Sequence, residues 1–244
     1  MRVAACQLPD VRNDSARAMS LIGAHALRAE QAGADLVCFP ECYLQGYDTR
    51  TEYVAQVAME LNSSAFDDVL AALSSLKPVV VFGLIEKEGA SFYNAALAIE
   101  SGKVVAHYRK SYLLKREQSI FQPGGVMPIF NVIGVRVGIN ICYDLAFPAS
   151  VRRAANAGAK LLVCPCSNMM PRNLAEQWKS RHNEIRALRA KQQGIWILSS
   201  DIFGEREGSI SYGPTALIDP RGTVAAQVPL LEAGMVVAEI DAGD

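Results

Sequence analysis

The sequence has little of what marks metal, nucleic-acid or membrane proteins. Its 244 residues include three histidines, its formal net charge is −1, and no apolar run approaches the roughly 18 residues of a membrane span. Zinc would find few nitrogen ligands, and a polyanion would find no basic surface. The apolar stretch at the N-terminus is too short for a signal peptide. We expect a cytoplasmic protein without a metal, a nucleic-acid partner or a membrane partner.

The chain also lacks a linker. No stretch rich in proline, glycine or serine divides it, 50% of its residues are hydrophobic and 20% are charged. This composition is typical of a globular protein, and the length suffices for one large core. We expect a single α/β domain over residues 1–244.

The six cysteines lie mostly in apolar, strand-like runs, where a reduced cysteine behaves as a small hydrophobic residue. They are Cys6, Cys38, Cys42, Cys142, Cys164 and Cys166. Free thiols are therefore expected. The alternative is a zinc site on Cys38 with Cys42 or on Cys164 with Cys166, but neither spacing is that of a zinc knuckle.

Helix-like and strand-like segments alternate along the chain. The periodicity predicts helices over 15–31, over 51–76 in one or two pieces, over 150–157 and over 174–193. The last helix would carry an apolar stripe of Leu174, Trp178, Ile185 and Leu188. Strands are expected at 3–8, 36–39, 79–84, 94–99, 103–107, 129–132, 135–141, 161–164, 196–199, 216–218, 224–228 and 235–240.

Two segments repeat one another. Residues 33–38 read GADLVC and residues 158–164 read GAKLLVC, each after an Ala- and Arg-rich helix and each running into a proline. The match is short, so chance is the alternative. As a true repeat it predicts two similar αβ halves whose strand ends deliver side chains to a shared edge.

Cys142 is the candidate nucleophile. It closes the predicted strand 135–141, and Pro148 at a helix start follows it, so it lies in a sharp turn between strand and helix. Such a turn exposes a thiol beside backbone N–H groups, which can lower its pKa and bind an oxyanion. The alternative is a cysteine packed in the core.

Glu41 and Lys110 each end an apolar, strand-like run. A carboxylate there needs a cationic partner or takes up a proton, and either state suits a general base. Lys110 can supply that partner and stabilise an amide oxygen as it becomes negative. Glu117 is a candidate second carboxylate. The alternative for all of them is an ordinary solvated charge.

In this order and context, the motifs resemble the carbon-nitrogen hydrolase, or nitrilase, superfamily, whose thiol enzymes cleave amides, N-carbamoyl compounds and nitriles. The resemblance covers most of the chain. It rests on Ala4-Ala5-Cys6-Gln7, Phe39-Pro40-Glu41, Tyr108-Arg109-Lys110, Glu117 with Phe121-Gln122-Pro123-Gly124, Cys142-Tyr143-Asp144 and Ile218-Asp219-Pro220-Arg221-Gly222.

The resemblance implies a role for each group. Glu41 would be the general base and Cys142 the nucleophile that forms a thioester, while Lys110 and the backbone N–H of Tyr143 would hold the oxyanion. Glu117 would be an accessory carboxylate that positions substrate or lysine. The implied fold is a four-layer α-β-β-α sandwich without a cofactor, and the implied assembly is a homodimer or larger homo-oligomer.

Four residues depart from the family pattern. Ala146 and Ala149 stand where many members have an arginine and an acidic residue, and Gln192-Gln193 stands where members often have Glu-Asn. These departures put in doubt the transfer of substrate specificity and of dimer contacts.

The substrate class follows from resemblance alone. Cys142-Tyr143-Asp144 resembles the amidase-like branches and favours a small amide, with an N-carbamoyl compound or a nitrile as alternatives. Candidate pocket residues are Tyr43, Tyr47, Cys166, Asn168 and Trp178, each also explicable as core. A hypothesis of another class is a binding or regulatory protein that keeps the fold and has lost turnover.

Overall fold

The chain folds into two β-sheets stacked face to face with helices on both outer sides. The computed structural model describes residues 1–241. The helices are α1 (Ser15–Gln31), α2 (Thr51–Val57), α3 (Ser64–Leu73), α4 (Pro148–Asn156), α5 (Arg172–Trp178) and α6 (Arg181–Gln193), with a 3₁₀ turn at Cys142–Ala146. Within residues 1–241 no helix is long and apolar enough to cross a membrane.

The strands fall at or near most of the expected positions. They are β1 (Arg2–Pro9), β2 (Leu36–Cys38), β3 (Val79–Glu88), β4 (Ser91–Glu100), β5 (Lys103–Arg109), β6 (Ile129–Val132), β7 (Val135–Ile139), β8 (Leu161–Pro165), β9 (Met170–Pro171), β10 (Trp196–Ser200), β11 (Ile202–Arg206), β12 (Ser209–Tyr212), β13 (Ala216–Ile218), β14 (Val224–Gln227) and β15 (Gly234–Glu239).

The first sheet has nine strands in the order β5-β4-β3-β2-β1-β11-β12-β9, with β15 also paired to β1. The second has six in the order β14-β13-β10-β8-β7-β6. Parallel pairing of β1, β2 and β3 in one sheet is matched by parallel pairing of β7, β8 and β10 in the other.

Three apolar layers hold the sandwich together, and they make it the predicted four-layer α-β-β-α fold. Side chains such as Val81 of β3 and Val163 of β8 fill the space between the two sheets. A second layer, with Ile22 of α1, joins the first sheet to α1 and α3. A third, with Ala190 of α6, joins the second sheet to α4 and α6. Burial of these faces is the main favourable term in folding.

The repeated segments fold alike. Helix α1 ends in a turn where Gly33 N–H donates to the Glu30 carbonyl at 2.8 Å, and α4 ends in one where Gly158 N–H donates to the Ala155 carbonyl at 2.8 Å. Both glycines have positive φ, 74° and 87°, where an L side chain is strained. The strands that follow, β2 and β8, lie in opposite sheets, so the expectation of two similar αβ halves is confirmed.

The single helix predicted over 174–193 is wrong. The chain turns at Lys179 and Ser180, between α5 and α6. The two helices have different partners: α5 packs against β9 and β12, and α6 packs against α4 and β13. The predicted stripe also fails at Leu188, which is 49% exposed.

Arginines occupy the buried face of α6 instead. Arg186 donates to the Pro214 carbonyl at 2.5 Å, and Arg189 donates to the Leu145 carbonyl at 3.0 Å. Buried guanidinium groups are tolerated when their donors are paired in this way. Periodicity of apolar residues therefore could not identify this face.

Strands β9, β11 and β12 were not predicted. They extend the first sheet from the end of β1, where Leu8 pairs with Ile202 and Pro9 with Phe203. The segment is polar and rich in glycine, and its strand structure depends on pairing with β1 rather than on local preference.

Candidate active site

The structure brings Glu41, Lys110 and Glu117 into one buried cluster. Lys110 Nζ donates to Glu41 Oε1 at 2.7 Å and to Glu117 Oε1 at 2.8 Å. The three side chains are 2%, 1% and 0% exposed. An ammonium between two carboxylates in a dry site is a strong charge-assisted arrangement.

Asn94, on β4, completes the cluster. Its Nδ2 donates to Oε1 of Glu41 at 2.7 Å and to Oε1 of Glu117 at 3.1 Å, while its Oδ1 accepts from Cys42 Sγ at 3.4 Å. Glu117 Oε1 also accepts from the Tyr47 hydroxyl at 3.0 Å, and its Oε2 accepts from Leu114 N–H at 2.7 Å. Every oxygen of Glu117 is thus engaged, which fits a positioning carboxylate.

The backbone places Glu41 and Lys110 through two close approaches. Glu41 follows β2 and Pro40, and Gly83 of β3 passes so near that a Cβ there would lie 2.7 Å from Glu41 Cα. Lys110 follows β5, and a Cβ on Gly124 would lie 2.7 Å from the Arg109 carbonyl carbon. Gly124 N–H donates to the Lys110 carbonyl at 2.8 Å. Only glycine fits at these two positions.

Cys142 begins the 3₁₀ turn that follows β7, in the predicted bend between strand and helix. Its φ is +42°, in the left-handed region that an L residue adopts at a cost. It is the one partly exposed cysteine of the six, because the other five are buried. All six are free thiols, as predicted.

Asp144 ties the Cys142 turn to the segment that follows Lys110. Its Oδ2 accepts from Ile141 N–H at 2.9 Å and from the Tyr108 hydroxyl at 2.8 Å. Its Oδ1 accepts from Tyr112 N–H at 2.8 Å and from Ser111 N–H at 3.2 Å. One buried carboxylate therefore fixes the position of the second sheet's turn relative to β5.

The ends of β2 and β8, the strands of the two repeated segments, meet as the repeat predicted. Glu41 N–H, after β2, donates to the Cys166 carbonyl, after β8, at 3.1 Å. Two residues further on, Asn168 Oδ1 accepts from Cys142 Sγ at 3.5 Å. The edge shared by the two sheets thus carries Glu41, Lys110, Cys142 and Asn168 together.

Asp201, between β10 and β11, fixes the orientation of Asn168. Its Oδ1 accepts from Asn168 N–H at 3.1 Å, and its Oδ2 accepts from Asn168 Nδ2. Arg186 lies 3.8 Å from Asp201 Oδ2 and donates to Cys166 Sγ at 3.3 Å. With its amide nitrogen held by Asp201, Asn168 turns its oxygen toward the Cys142 thiol.

Burial opposes the charge of Lys110, but Glu41 and Glu117 outweigh burial and raise the pKa of Lys110 well above its usual value. Burial also works against the Glu117 carboxylate, yet the Lys110 ammonium holds the pKa of Glu117 below its usual value. At neutral pH the lysine is therefore protonated and Glu117 is ionised.

The expectation that the turn lowers the pKa of the Cys142 thiol is wrong. The neighbouring Cys166 thiol, burial and the charge of Glu41 raise the pKa of Cys142 well above its usual value, against the opposing effect of Lys110. The turn does not by itself lower this pKa. At neutral pH Cys142 is therefore a neutral thiol.

A cavity of about 380 Å³ opens onto Cys142. Tyr143, Ala146, Cys166, Asn168 and Trp178 are among its lining residues. The first N–H groups of a helical turn lack partners within the turn, so the backbone of Tyr143 is suited to bind an anion at the cavity wall. The cluster of Glu41, Lys110 and Glu117 lies buried beneath.

Two predicted pocket residues lie elsewhere. Tyr43 packs in the core between the first sheet and α1, with its hydroxyl donating to the Pro9 carbonyl at 3.2 Å. Tyr47 packs against Phe121, and its hydroxyl donates to Glu117 rather than facing the cavity. Aromatic residues near a motif are as readily core as pocket, and the sequence offered no means of separating the two.

The structure shows the contacts of the residues that depart from the family pattern. Gln192 accepts from Arg189 Nη1 at 3.0 Å, and Arg189 Nη2 donates to the Ala146 carbonyl at 2.8 Å. Gln192 thereby orients the arginine that holds the end of the Cys142 turn. Ala149, at the start of α4, has no interaction that assigns it a role.

The sequence analysis did not identify Asn94, Asp201 or Arg186 as site residues. It also did not identify the positioning role of Asp144. Asn94 interrupts an apolar strand, and a polar residue there signals a buried partner. Asp201 and Arg186 carried no such signal, since each lies in a polar context. Within residues 1–241 no group of three or more His, Cys, Asp or Glu is placed to hold a metal ion.

The sequence matches the family model described as carbon-nitrogen hydrolase over residues 2–244. The chain belongs to this family. A nitrilase from Pyrococcus abyssi is 31% identical to this carbon-nitrogen hydrolase over 216 residues, which are 87% of the chain and 79% of the nitrilase. An (R)-stereoselective amidase from a Pseudomonas species is 29% identical over 235 residues, 96% of the chain and 81% of the amidase.

Solved structures agree. A mutant of the amidase from Nesterenkonia sp. AN1, with acrylamide added at its active site cysteine, has a TM-score of 0.88 and 27% identity to this carbon-nitrogen hydrolase. The match covers 99% of this chain and 94% of that chain. The expected superfamily, sandwich fold and enzyme class, an amidase-type carbon-nitrogen hydrolase, are confirmed.

Proposed function

We propose that this hydrolase cleaves the carbon–nitrogen bond of a small amide through a thioester on Cys142. The observation that carries the proposal is the position of Lys110 Nζ, 2.7 Å from Glu41 Oε1 and 2.8 Å from Glu117 Oε1, at the edge where the Cys142 turn is fixed by Asp144. A base, a fixed positive charge and a thiol are the groups that acyl transfer needs.

In the first half of the cycle, Glu41 accepts the Cys142 proton as sulfur attacks the amide carbon. Among the described residues no hydrogen bond reaches Glu41 Oε2, since Lys110 and Asn94 both donate to Oε1. Oε2 is then the oxygen that takes the proton. Negative charge on the former carbonyl oxygen lies between Lys110 and the Tyr143 N–H, and Glu117 holds Lys110 in place.

Collapse of this intermediate breaks the carbon–nitrogen bond, and Glu41 gives its proton to the departing ammonia or amine. In the second half a water attacks the thioester and loses a proton to Glu41. The carboxylic acid leaves, and the proton returns to the sulfur. The cycle uses no cofactor.

An amide fits this site better than a nitrile. Asn168, with its nitrogen held by Asp201, offers an oxygen beside the Cys142 thiol. An amide or an N-carbamoyl compound has an N–H to donate to that oxygen, and a nitrile has none. An acceptor left without its donor in a buried site costs transition-state binding. Of the two alternative substrate classes, an N-carbamoyl compound therefore fits the site better than a nitrile.

A catalytically silent binding protein is the alternative of another class. The paired carboxylates around Lys110 and the partly exposed thiol argue against it, because binding alone needs neither. We also propose that the chain works as a homodimer or larger homo-oligomer, as its resemblance to the family implies.

The test is a panel of small amides, N-carbamoyl compounds and nitriles, with ammonia release and intact mass measured for the wild type, Cys142→Ala, Glu41→Gln and a control, Cys164→Ala. We expect ammonia from the amides with the wild type, much slower release with Glu41→Gln, and neither ammonia nor an acyl adduct with Cys142→Ala. Cys164 is buried and does not line the cavity, so Cys164→Ala should keep turnover. No turnover and no adduct with any compound would favour the silent protein.

A further inference from the structure

The cavity above Cys142 has two unlike ends. Polar groups gather beside the Cys142 thiol, which we call the inner end: Cys142 Sγ donates to Asn168 Oδ1, and Ser167 directly precedes Asn168. Apolar side chains form most of the rest of the wall, which also includes Arg116, His182 and Arg186; the large apolar ones are Leu114, Leu145, Met170, Leu174, Trp178 and Ile185. A ligand that matches this surface has a small polar head and an apolar body.

Ser167, at the inner end of the cavity, has a hydroxyl without a hydrogen-bond partner. The residue is 4% exposed, and its Oγ has no hydrogen-bond partner among the described residues. Buried hydroxyls are nearly always paired, and Ser167 belongs to the cavity wall, so its Oγ is available to pair with a ligand that enters this end of the cavity. An amide group bound at Cys142 and Asn168 would lie within the same end of the cavity.

The apolar wall comes from the break between α5 and α6. Leu174 and Trp178 on α5 and Ile185 on α6 are left partly exposed, Leu174 by 39%. They were expected to pack in the core as one stripe, yet they line the cavity together. These apolar side chains lie outside the core and line the cavity of the Cys142 thiol. An apolar ligand that binds there would gain free energy by burying its surface against them.

Arg116 and Arg186 are the charged residues that line the cavity, and each already has hydrogen-bond partners within the protein. No Asp or Glu of residues 1–241 lines it, and burial followed by the charge of Arg186 lowers the pKa of His182 to about 3, so that histidine is neutral. Arg186 donates to the Pro214 carbonyl and to Cys166 Sγ and lies beside Asp201. Arg116, at the mouth, points its Nε to the Tyr47 hydroxyl at 3.4 Å.

Ala146 leaves room next to the thiol. It lies at the end of the Cys142 turn and lines the cavity with a single methyl group. The volume of about 380 Å³ falls within the roughly 300–1,000 Å³ of ligand pockets and exceeds what a two-carbon amide fills.

We infer that the substrate is an amide with an uncharged, apolar acyl group of four or more carbons, whose amide binds at Cys142, Ser167 and Asn168 and whose acyl group lies against Leu174, Trp178 and Ile185. The inference rests on the proposed function for the position of the amide. It adds which acyl groups the enzyme accepts.

The test is a straight-chain series from acetamide to hexanamide, with succinamate as the charged partner of butyramide. For wild type, kcat/KM should rise about fourfold per added methylene, the gain expected for burying one CH₂. Butyramide should exceed succinamate by about 100-fold, since the carboxylate would be desolvated against an apolar wall.

Three variants locate the effect. Leu174→Gln and Trp178→Ala should reduce the gain per methylene to about twofold or less. Leu188→Ala is the matched control, because Leu188 lies on α6 three residues from Ile185 but is 49% exposed and outside the cavity lining. It should leave the series unchanged. Leu174 is itself partly exposed, so Leu174→Gln should fold, and thermal unfolding checks that it does.

Binding of the same amides to Cys142→Ala, by calorimetry, separates this inference from the proposed function. Tighter binding of hexanamide than of acetamide without any ammonia from wild type would support the apolar cavity and overturn the hydrolysis. Ammonia released faster from acetamide or succinamate than from hexanamide would support hydrolysis and overturn the apolar acyl group. Equal affinity for all members of the series would overturn it as well.

Discussion

Asn94 donates from Nδ2 to Oε1 of Glu41 at 2.7 Å, and that oxygen also accepts from Lys110. The same amide group reaches Glu117 Oε1 at 3.1 Å. Asn94 and Lys110 therefore bridge one pair of carboxylate oxygens from two directions. Two buried carboxylates repel each other, and the two donors together offset that repulsion.

Asn94→Ala should lower kcat by about 10- to 100-fold with little change in KM. The variant leaves charged oxygens short of a donor, which costs about 1–3 kcal/mol, and frees Glu41 to turn. Steady-state kinetics on an accepted amide measures it. Asn131→Ala, at an exposed position of β6, should retain wild-type kcat. An unchanged kcat in Asn94→Ala would contradict a positioning role.

Tyr108→Phe should loosen the Cys142 turn. The substitution removes the hydroxyl that donates to Asp144 Oδ2 at 2.8 Å, and Asp144 also holds Ile141 and Tyr112. We expect a loss of about 1 kcal/mol in the free energy of unfolding and a kcat reduced about tenfold. Urea denaturation and kinetics check both values. Tyr93→Phe, whose ring lies under Arg109, should match the wild type in both.

Asp201→Asn should change how stability depends on pH. Burial raises the pKa of Asp201 to about 7, against the opposing effect of Arg186, whereas an unfolded aspartate titrates near about 3.9. The native state therefore binds this proton more tightly, and the Asp201 contribution to stability falls as pH rises from about 4 to about 7. Asp201→Asn removes that fall.

The difference in unfolding free energy between Asp201→Asn and wild type should accordingly grow in favour of the variant by up to about 1.4 kcal/mol per pH unit across this range. Urea denaturation at several pH values measures it. Asp144, whose pKa burial raises to about 6, titrates in both proteins and largely cancels in the difference. A difference that does not vary with pH would show that Asp201 stays ionised in the native state.

Asp201→Asn should nevertheless be a poor enzyme. A side-chain amide at position 201 can donate to Asn168, which allows the Asn168 amide to turn its nitrogen toward Cys142. We expect KM for a primary amide to rise about tenfold, corresponding to one lost hydrogen bond at the substrate. A gain in stability together with a loss of activity would separate positioning from folding.

Gly83→Ala should damage both folding and turnover. Its Cβ would lie 2.7 Å from Glu41 Cα, and backbone must move to make room. We expect about 1–3 kcal/mol of destabilisation and a clear loss of kcat. Gly23→Ala is the control: Gly23 lies within α1 with no atom near the added Cβ, and alanine there should stabilise by up to about 1 kcal/mol. Thermal unfolding of the two variants should shift in opposite directions.

Local pattern was enough to locate Glu41, Lys110 and Cys142, because each ends an apolar strand and strand ends are visible in a single sequence. The fold followed from the alternation of helix and strand together with the family resemblance. Helix α1 was predicted at its observed bounds, since Asp14 caps its first turn and Gly33 follows its last.

The rest depends on contacts between distant segments. Lys179 and Ser180 carry no helix-breaking residue, and the turn there arises because α5 and α6 pack on different strands. Strand β11 exists through its pairing with Leu8 and Pro9, almost 200 positions earlier in the chain. The hydrogen bond between Asn168 and Asp201 joins residues 33 positions apart, and neither position has a local signal.

The candidate groups are divided between the two sheets: Glu41 and Lys110 follow strands of the first, and Cys142 follows a strand of the second. During synthesis Glu41 and Lys110 emerge before Cys142, and the three come together only when the sheets stack. A nascent or partly unfolded chain therefore lacks the contacts around Lys110 on which the proposed chemistry depends. Stacking of the two sheets is thus the step of folding that assembles the candidate site.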